Sequence, residues 1–348
     1  MTKQKALIAM SGGVDSSVAA HLALESGYDC IGATMQLLPC QDSSKDAQNV
    51  ADRLGIPFHI LDFQQEFCQE VMDQFVADYE AGLTPNPCVV CNQKLKFGHL
   101  LDAAKALGCD YVVSGHYARI DRDENTGRWL LQKAVDESKD QSYFLYGLTQ
   151  EQLSHILFPL GTLTKAQARE IAEAQGFLNA KKKDSQDICF IPDGDYLSFM
   201  CRHTGKAYAP GDFLDQTGHV VGRHKGAVGY TLGQRKGLGL AMGEPVYVCG
   251  KNMAENTVTV GPNEALMHKS LRANNWFWHS VPELTAPLRV FAKARSRMTE
   301  QPATVYPEEG GFARVEFDAP QRAITPGQAV VLYDGNTVVG GGTITEVI

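Results

Sequence analysis

No stretch of this 348-residue chain approaches the ~20 consecutive apolar residues that span a bilayer, so no membrane helix is expected. The first ten residues run from a basic start into a short apolar stretch, but Ser11-Gly12-Gly13 and Asp15-Ser16-Ser17 follow at once. A strand entering a loop fits this better than a signal peptide, and a cytoplasmic protein is expected. Excess positive charge is also lacking. The formal net charge of −8 argues against nonspecific coating of nucleic acid. A disulfide framework is not indicated either, because nine cysteines is an odd count in a long chain without a secretory signal. Only one C-x-x-C occurs, Cys88 to Cys91, so a four-cysteine zinc site is not expected. The glycine loop near the start lacks the Gly-Lys-Ser/Thr ending of a Walker loop, which turns the reading away from γ-phosphoryl transfer. No internal repeat stands out.

Hydrophobic residues make up 44% and charged residues 21%, a balance suited to a folded chain of two or three domains. The first half alternates short apolar runs with helical patterns. Strands are expected at Ala6–Met10, Cys30–Met35, Phe58–Phe63 and Tyr111–Ser114. Helices are expected at Val18–Glu25, Asp46–Leu54, Glu66–Tyr79, Leu100–Leu107, Gln150–Leu157 and Lys165–Ala174. Repeated β-α units predict a parallel sheet covered on both faces, with ligands beyond the carboxyl ends of its strands. The loops after Met10, Met35 and Ser114 should therefore converge. Residues 117–135 read as a hairpin turning at Asp123–Gly127, and Lys181–Asp187 as a polar loop.

Glycines become dense after residue 204, as in a small β-rich module. From 269 onward short strands predict a terminal barrel, at Leu288–Ala294, Ala303–Tyr306, Ala313–Phe317, Ala329–Tyr333 and Thr337–Val339. Expected domains are thus 1–203, 204–268 and 269–348. Residues 201–251 hold seven Lys/Arg against three acids, a net +4 in a chain of −8. Such asymmetry is what a local basic groove requires. Cys30, Cys40, Cys68, Cys109, Cys201 and Cys249 have no partner spacing and read as small buried hydrophobes.

Between the first strand and helix lies Met10-Ser11-Gly12-Gly13-Val14-Asp15-Ser16-Ser17. Glycines allow close backbone approach, the helix start offers unpaired N–H groups, and the serines add hydroxyls, which together make an anion cradle. Asp15 beside phosphate is repulsive unless a cation intervenes, a hint of Mg²⁺. In Thr84-Pro85-Asn86-Pro87-Cys88-Val89-Val90-Cys91-Asn92 two prolines stiffen a loop between helices. Its cysteine spacing suits a redox disulfide, half a zinc site or two ligands of an iron–sulfur cluster. Cys189, taken alone, is an ordinary buried residue.

The string Ser-Gly-Gly-Val-Asp-Ser-Ser resembles the pyrophosphate loop of ATP-pyrophosphatases. Taken with Thr-Pro-Asn-Pro-x-x-x-Cys-Asn, Ser114-Gly115-His116-Tyr117, Lys139-Asp140-Gln141-Ser142-Tyr143-Phe144-Leu145, Asp184-Ser185-Gln186-Asp187-Ile188-Cys189-Phe190-Ile191, Gly229-Tyr230-Thr231-Leu232-Gly233-Gln234-Arg235 and Thr325-Pro326-Gly327-Gln328, it resembles the bacterial tRNA-specific 2-thiouridylases (the MnmA family). The motifs fall in the family order across nearly the whole chain. The resemblance implies a PP-loop α/β domain followed by the β-rich module and the barrel. It implies ATP with Mg²⁺, and 2-thiolation of the anticodon wobble uridine of tRNA with sulfur from a persulfide relay protein.

By the same resemblance Cys91 is the nucleophile and Cys189 the persulfide carrier. Ala9, Met10, Ser11, Gly12, Gly13, Val14, Asp15, Ser16, Met35 and Gly115 surround ATP. Asn86, Pro87 and Cys88 meet the target base, Cys88 standing where some relatives carry an acid. His116, Lys139, Asp140, Gln141, Arg295, Ser296 and Gln328 face tRNA, with Ser296 replacing an aromatic of some relatives. Lys181–Lys183 would lower a thiol pKa or meet phosphate, or else form a solvated face. His116 alone also reads as a structural histidine. Three alternatives stand beside this reading. One is an amidating PP-loop ligase, which needs no cysteine pair. Another is a noncatalytic RNA- or metal-binding module. The third is thiolation through a [4Fe–4S] cluster on Cys88, Cys91 and Cys189.

Overall fold

A computed structural model describes residues 3–39, 44–177 and 188–348. Five strands pair in parallel in the order β3-β2-β1-β4-β7: β1 (Lys5–Ala9), β2 (Asp29–Gln36), β3 (Phe58–Asp62), β4 (Tyr111–Val113) and β7 (Ile156–Leu157). Successive β1 side chains enter opposite layers. Leu7 packs into one core with Phe97, Leu100 and Val112, while Ala6 and Ile8 pack into another with Val18, Ala20 and Val50. A strand buried on both faces must be apolar throughout, which is why Ala6–Met10 shows no alternation. The strand order reverses direction between β1 and β4, so the crevice at their carboxyl ends is the expected ligand position.

Two expectations needed correction here. The single helix at Gln150–Leu157 divides into a helix, Gln150–Ser154, and the short strand β7. The open edge of β4 captures the chain, with Val112 N donating to His155 O at 2.8 Å and Ser114 N to Leu157 O at 3.1 Å. The proline-rich loop is likewise helical from Pro87 to Cys91. Proline at the first helical position lacks only an N–H that would have no helical partner. Cys88 and Cys91 therefore share one helical face.

The hairpin forms from β5 (Ala118–Arg122) and β6 (Trp129–Lys133) in antiparallel register. Four strands make the glycine-rich module: β8 (Gly211–Leu214), β9 (Val220–His224), β10 (Tyr247–Asn252) and β11 (Thr257–Gly261). The barrel has six, β12 (Met267–Trp278), β13 (Leu288–Lys293), β14 (Gln301–Pro307), β15 (Ala313–Arg322), β16 (Ala329–Asp334) and β17 (Thr337–Val347), and is closed by β12 pairing with β17. β12 was not anticipated from sequence. The hairpin, though early in the chain, joins the barrel sheet through Thr337 opposite Gln132. Among the described residues no helix is long and apolar enough to cross a membrane.

A separate core joins the β-α domain to the residues after Cys189. Phe67, Phe75, Phe190 and Phe199 pack ring to ring, with Phe190 centroids 5.7, 5.4 and 5.1 Å from Phe67, Phe75 and Phe199. Cys91, Leu95 and Ile191 belong to the same cluster. Phe190→Ala is expected to cost about 3–5 kcal/mol through the cavity it leaves. The thermal midpoint should then fall by roughly 6 °C or more. Phe291→Ala, on a side chain 48% exposed, should cost about 0.5 kcal/mol or less. Equal falls for the two variants would show that the ring cluster carries no special weight.

Candidate active site

Residues 10–17 link β1 to the helix Val14–Glu25, as read from the sequence. Gly12 has φ +68°, a left-handed conformation that side chains disfavour. The serine hydroxyls are used within the loop. Ser17 and Ser16 Oγ donate to Gly13 O at 2.8 and 3.1 Å, and Ser11 N donates to Ser16 Oγ at 3.2 Å. First-turn serines bond back to the chain in this way, so they shape the cradle while the backbone N–H groups provide its positive end. Ala9 is half-buried, Met10 and Val14 are buried, and Met35 packs at the end of β2.

Gly115 lies in the loop after β4, at the sheet's reversal point. A Cβ there would stand 2.7 Å from both Asp15 C and Ser16 N, so only glycine lets this loop close on the helix start. Next to it, Tyr117 Oη donates to Asp15 Oδ1 at 3.0 Å. Lys165 Nζ donates to both Asp15 oxygens at 2.8 Å. The Asp15 carboxylate thus already has a cation from its own chain, which removes the premise on which Asp15 pointed to Mg²⁺. Lys165 was read only as the first residue of an amphipathic helix. Its one further sequence signal is the preceding Thr164, whose capping box with Gln167 fixes where that helix begins.

The thiols of Cys88, Cys91 and Cys189 come within electrostatic reach of one another. None is in a disulfide. Cys91 is buried, and desolvation pushes its pKa up to about 11. Lys96 opposes that shift, and Cys189 and Cys88 add to it. Burial also raises Cys88 and Cys189, with Lys96 again opposing. Lys96 therefore acts on all three sulfurs, a role that sequence reading missed. It lies in the π-helical stretch Asn92–His99, whose i→i+5 bonding turns a residue five positions on back toward Cys91. Lys181–Lys183 and Asp184–Asp187 lie outside the described residues.

His116 lies inward. Its Nδ1 is 2.7 Å from Ser114 Oγ, and its ring packs against Phe97 and Phe158. Burial holds its pKa well below the ordinary histidine value, so it is neutral at pH 7. The structural reading fits this geometry better than an exposed contact does. Asp140 accepts from Ala134 N at 3.0 Å and from Ser142 Oγ at 2.7 Å, and Gln141 Oε1 accepts from Tyr117 N at 2.9 Å. Gln141 braces Tyr117, and Asp140 ties Ala134 to Ser142. Lys139 is half-buried on the same turn.

The barrel residues of the expected set meet the cysteine segment. Gln328 Nε2 donates to Thr84 O at 2.8 Å, and Thr84 N donates to Pro326 O at 2.9 Å. At Gly327, φ is +88° and a Cβ would lie 2.8 Å from Thr84 N. Arg295 donates to Leu232 O at 2.9 Å and to Thr325 Oγ1, tying the glycine-rich module to the barrel. Ser296 is half-buried beside it. Asn86 caps the helix of the two cysteines without a side-chain bond, and Pro87 is buried. His219 and His224 have metal-like spacing, but His219 is exposed just before β9 and His224 is buried at its end.

Family models match almost the entire chain. They are described as the tRNA methyl transferase HUP domain over residues 4–193, the tRNA methyl transferase PRC-barrel domain over 197–262 and the aminomethyltransferase beta-barrel domain over 268–344. A tRNA-specific 2-thiouridylase MnmA of Acetivibrio thermocellus is 47% identical across 99% of this chain and 100% of its own length. The same-named protein of Clostridioides difficile is 46% identical over 99% and 98%, and that of Moorella thermoacetica 49% over 98% and 99%. A solved 4-thiouridine synthetase–RNA complex with bound ATP matches 54% of this chain and 45% of its own at 18% identity, with a TM-score of 0.35, too loose a likeness to carry an argument.

Because the fold favours the protonated thiol, Cys91 should resist alkylation at neutral pH and gain reactivity only as pH rises toward about 11. In the unfolded chain the rise should centre near ~8.5. Mass spectrometry of Cys91 alkylation rates against pH checks this, and a folded-state midpoint below ~9 would show that burial does not govern the thiol.

Proposed function

Since this chain belongs to the tRNA-specific 2-thiouridylase (MnmA) family, we propose that it converts the wobble uridine, U34, of tRNA into 2-thiouridine, consuming ATP and releasing AMP and pyrophosphate. The observation that carries this reading is the gathering of Cys91 and Cys189, far apart in sequence, about a shared cation in the domain that holds the phosphate loop.

The 2-carbonyl of uridine is a poor electrophile because oxide is a poor leaving group. In this reading the uridine O2 attacks the α-phosphorus of ATP, the bond to pyrophosphate breaks, and O2 becomes part of an AMP ester. Ala9–Ser16, Met35 and Gly115 surround the nucleotide, with backbone N–H groups taking the departing charge. Mg²⁺ accompanies the ATP phosphates. Lys165 neutralises Asp15, so the carboxylate does not repel phosphate at the loop.

A relay protein loads Cys189, which is exposed, with a terminal sulfur as persulfide. By one route that sulfur attacks uridine C2 and AMP leaves. Cys91 then attacks Cys189 Sγ, releasing the thiolated base. By the other, Cys91 attacks first and liberates sulfide, which displaces AMP. Each route leaves a Cys91–Cys189 disulfide that a two-electron reductant must open before the next turnover. Cys91 must lose its proton at that step, and Lys96 is the group that favours the thiolate.

Asn86, Pro87 and Cys88 would line the pocket for the base, which is unpaired in the anticodon and so cheaper to turn out. We assign 1–203 to catalysis, and 204–268 with 269–348 to gripping tRNA. In support, Arg202, Lys206, Arg223, Lys225, Arg235 and Lys236 are all exposed. Lys139 and Ser296 are kept as tRNA contacts. His116, Asp140, Gln141, Arg295 and Gln328 act through the frame they brace. A cytoplasmic location follows from a tRNA substrate. The third thiol, Cys88, supports a second reading, in which Cys88, Cys91 and Cys189 hold a [4Fe–4S] cluster. Iron analysis and visible absorption of anaerobically purified protein distinguish the two.

The decisive experiment is mass spectrometry of tRNA incubated with reduced protein, ATP, Mg²⁺ and a sulfide source. The wobble uridine should gain the mass of sulfur replacing oxygen, and Cys91→Ser or Cys189→Ser with persulfide as donor should abolish it. Full thiolation in either variant would remove that cysteine from sulfur transfer, and an unmodified wobble position with active ATP cleavage would overturn the reading. Separately, Lys165→Met leaves the Asp15 carboxylate unneutralised beside phosphate and should slow tRNA-dependent pyrophosphate release by about 100-fold. Adding Asp15→Asn should recover part of that loss. Unchanged release in Lys165→Met would remove Lys165 from the site.

A further inference from the structure

Cys68 and Asp73 open and close the six-residue π-helix Cys68–Asp73, within the helical stretch that packs behind Cys91. With bonds running i→i+5, residues five apart come onto one face, whereas an α-helix turns them well away from each other. His203 reaches the same place from the last turn of the helix Tyr196–Thr204, its ring stacked on Phe199 at 5.4 Å and 17°. The Cys68 sulfur, an Asp73 carboxylate oxygen and a His203 ring nitrogen all lie within 4.8 Å of one another. His203 Nε2 is 2.6 Å from Asp73 Oδ1.

We infer that Cys68, Asp73 and His203 form a binding site for a thiophilic divalent cation of the zinc class, with water completing its coordination. Thiolate, imidazole and carboxylate together suit zinc and are a poor set for Mg²⁺ or Ca²⁺, which take oxygen ligands. Tetrahedral zinc holds such donors roughly 3–4 Å apart, so a small rotation of the Asp73 side chain, which is 53% exposed, converts the present arrangement. An ion pair alone accounts for Asp73 and His203. It does not account for the sulfur within the same 4.8 Å, where burial first and the Asp73 carboxylate second both disfavour a bare thiolate. A divalent cation reverses that sign. Binding would take up the thiolate and displace the Cys68 proton, with no redox step. The site bridges the helix behind Cys91 to the helix that follows Cys189, so an ion there would tie down the far end of the Cys189 segment. It shares no residue with the thiol triad and stands independently of the thiolation chemistry.

The test uses the full chain with Cys88→Ser, Cys91→Ser and Cys189→Ser, which removes the clustered thiols of the other site, titrated with Co²⁺ under anaerobic reducing conditions. One equivalent should bind with a thiolate-to-cobalt absorption band that Zn²⁺ displaces. Cys68→Ser should abolish the band, and His203→Gln should weaken binding by about 10-fold or more. No such band in the parent, or a band unaltered in both variants, overturns the site. Thermal unfolding guards against misfolding. The parent should gain stability in Zn²⁺ relative to chelator, while His203→Gln, still unfolding cooperatively, should gain none. An equal gain in both would equally overturn it.

Discussion

Burial of Phe190 and Ile191 among Phe67, Phe75 and Phe199 is the contact on which the proposed chemistry rests. Each such side chain contributes about 1.5–3 kcal/mol when fully buried. That is enough to offset ordering two or three backbone residues at ~1–2 kcal/mol each. The immediate neighbour of Phe190 is Cys189, so anchoring the ring places the thiol. The same apolar cluster encloses Cys91 and holds it protonated. One hydrophobic core therefore both assembles the two sulfurs and keeps the proposed nucleophile at rest.

Positive charge is supplied at two points by side chains from other elements. Lys96 acts on the three thiols and on His116, which its field helps keep neutral. Lys165 neutralises Asp15 in the phosphate loop. Lys165 is buried and bonded to both Asp15 oxygens, while Lys96 is half-buried within electrostatic reach of the thiols. Two π-helical stretches, one on either side of the proline segment, shift the register of the chain near the thiols. Such wide turns give up α-helical geometry and recur where side-chain placement matters more than local stability.

The barrel meets the β-α domain at the segment before the cysteine helix, and meets the glycine-rich module at Arg295. Gln328 and Pro326 bond to Thr84, Gly327 allows the close approach, and Arg295 reaches across to Leu232. The barrel thereby contacts directly the residues leading into Cys88 and Cys91. Gln328 and Arg295, expected to face tRNA, also make hydrogen bonds within this frame.

Sequence by itself determined what depends on neighbours along the chain. The buried strand and glycine turn at Ala6–Ser17, the helix at Lys165–Ala174, the hairpin around Asp123–Gly127 and most barrel strands follow from periodicity and turn chemistry. The family motifs point to Cys91 and Cys189 by position in the sequence alone. Tertiary structure alone decided which partners those elements meet. It made a strand of Ile156–Leu157 because β4 had an open edge, gave the β5–β6 hairpin to the barrel, and turned His116 inward between Phe97 and Phe158. It also gave Lys96 and Lys165 their charges to balance. The reason is that a local pattern reports which face of an element is apolar, whereas burial, ion pairing and shifted ionisation depend on groups that only the fold brings near.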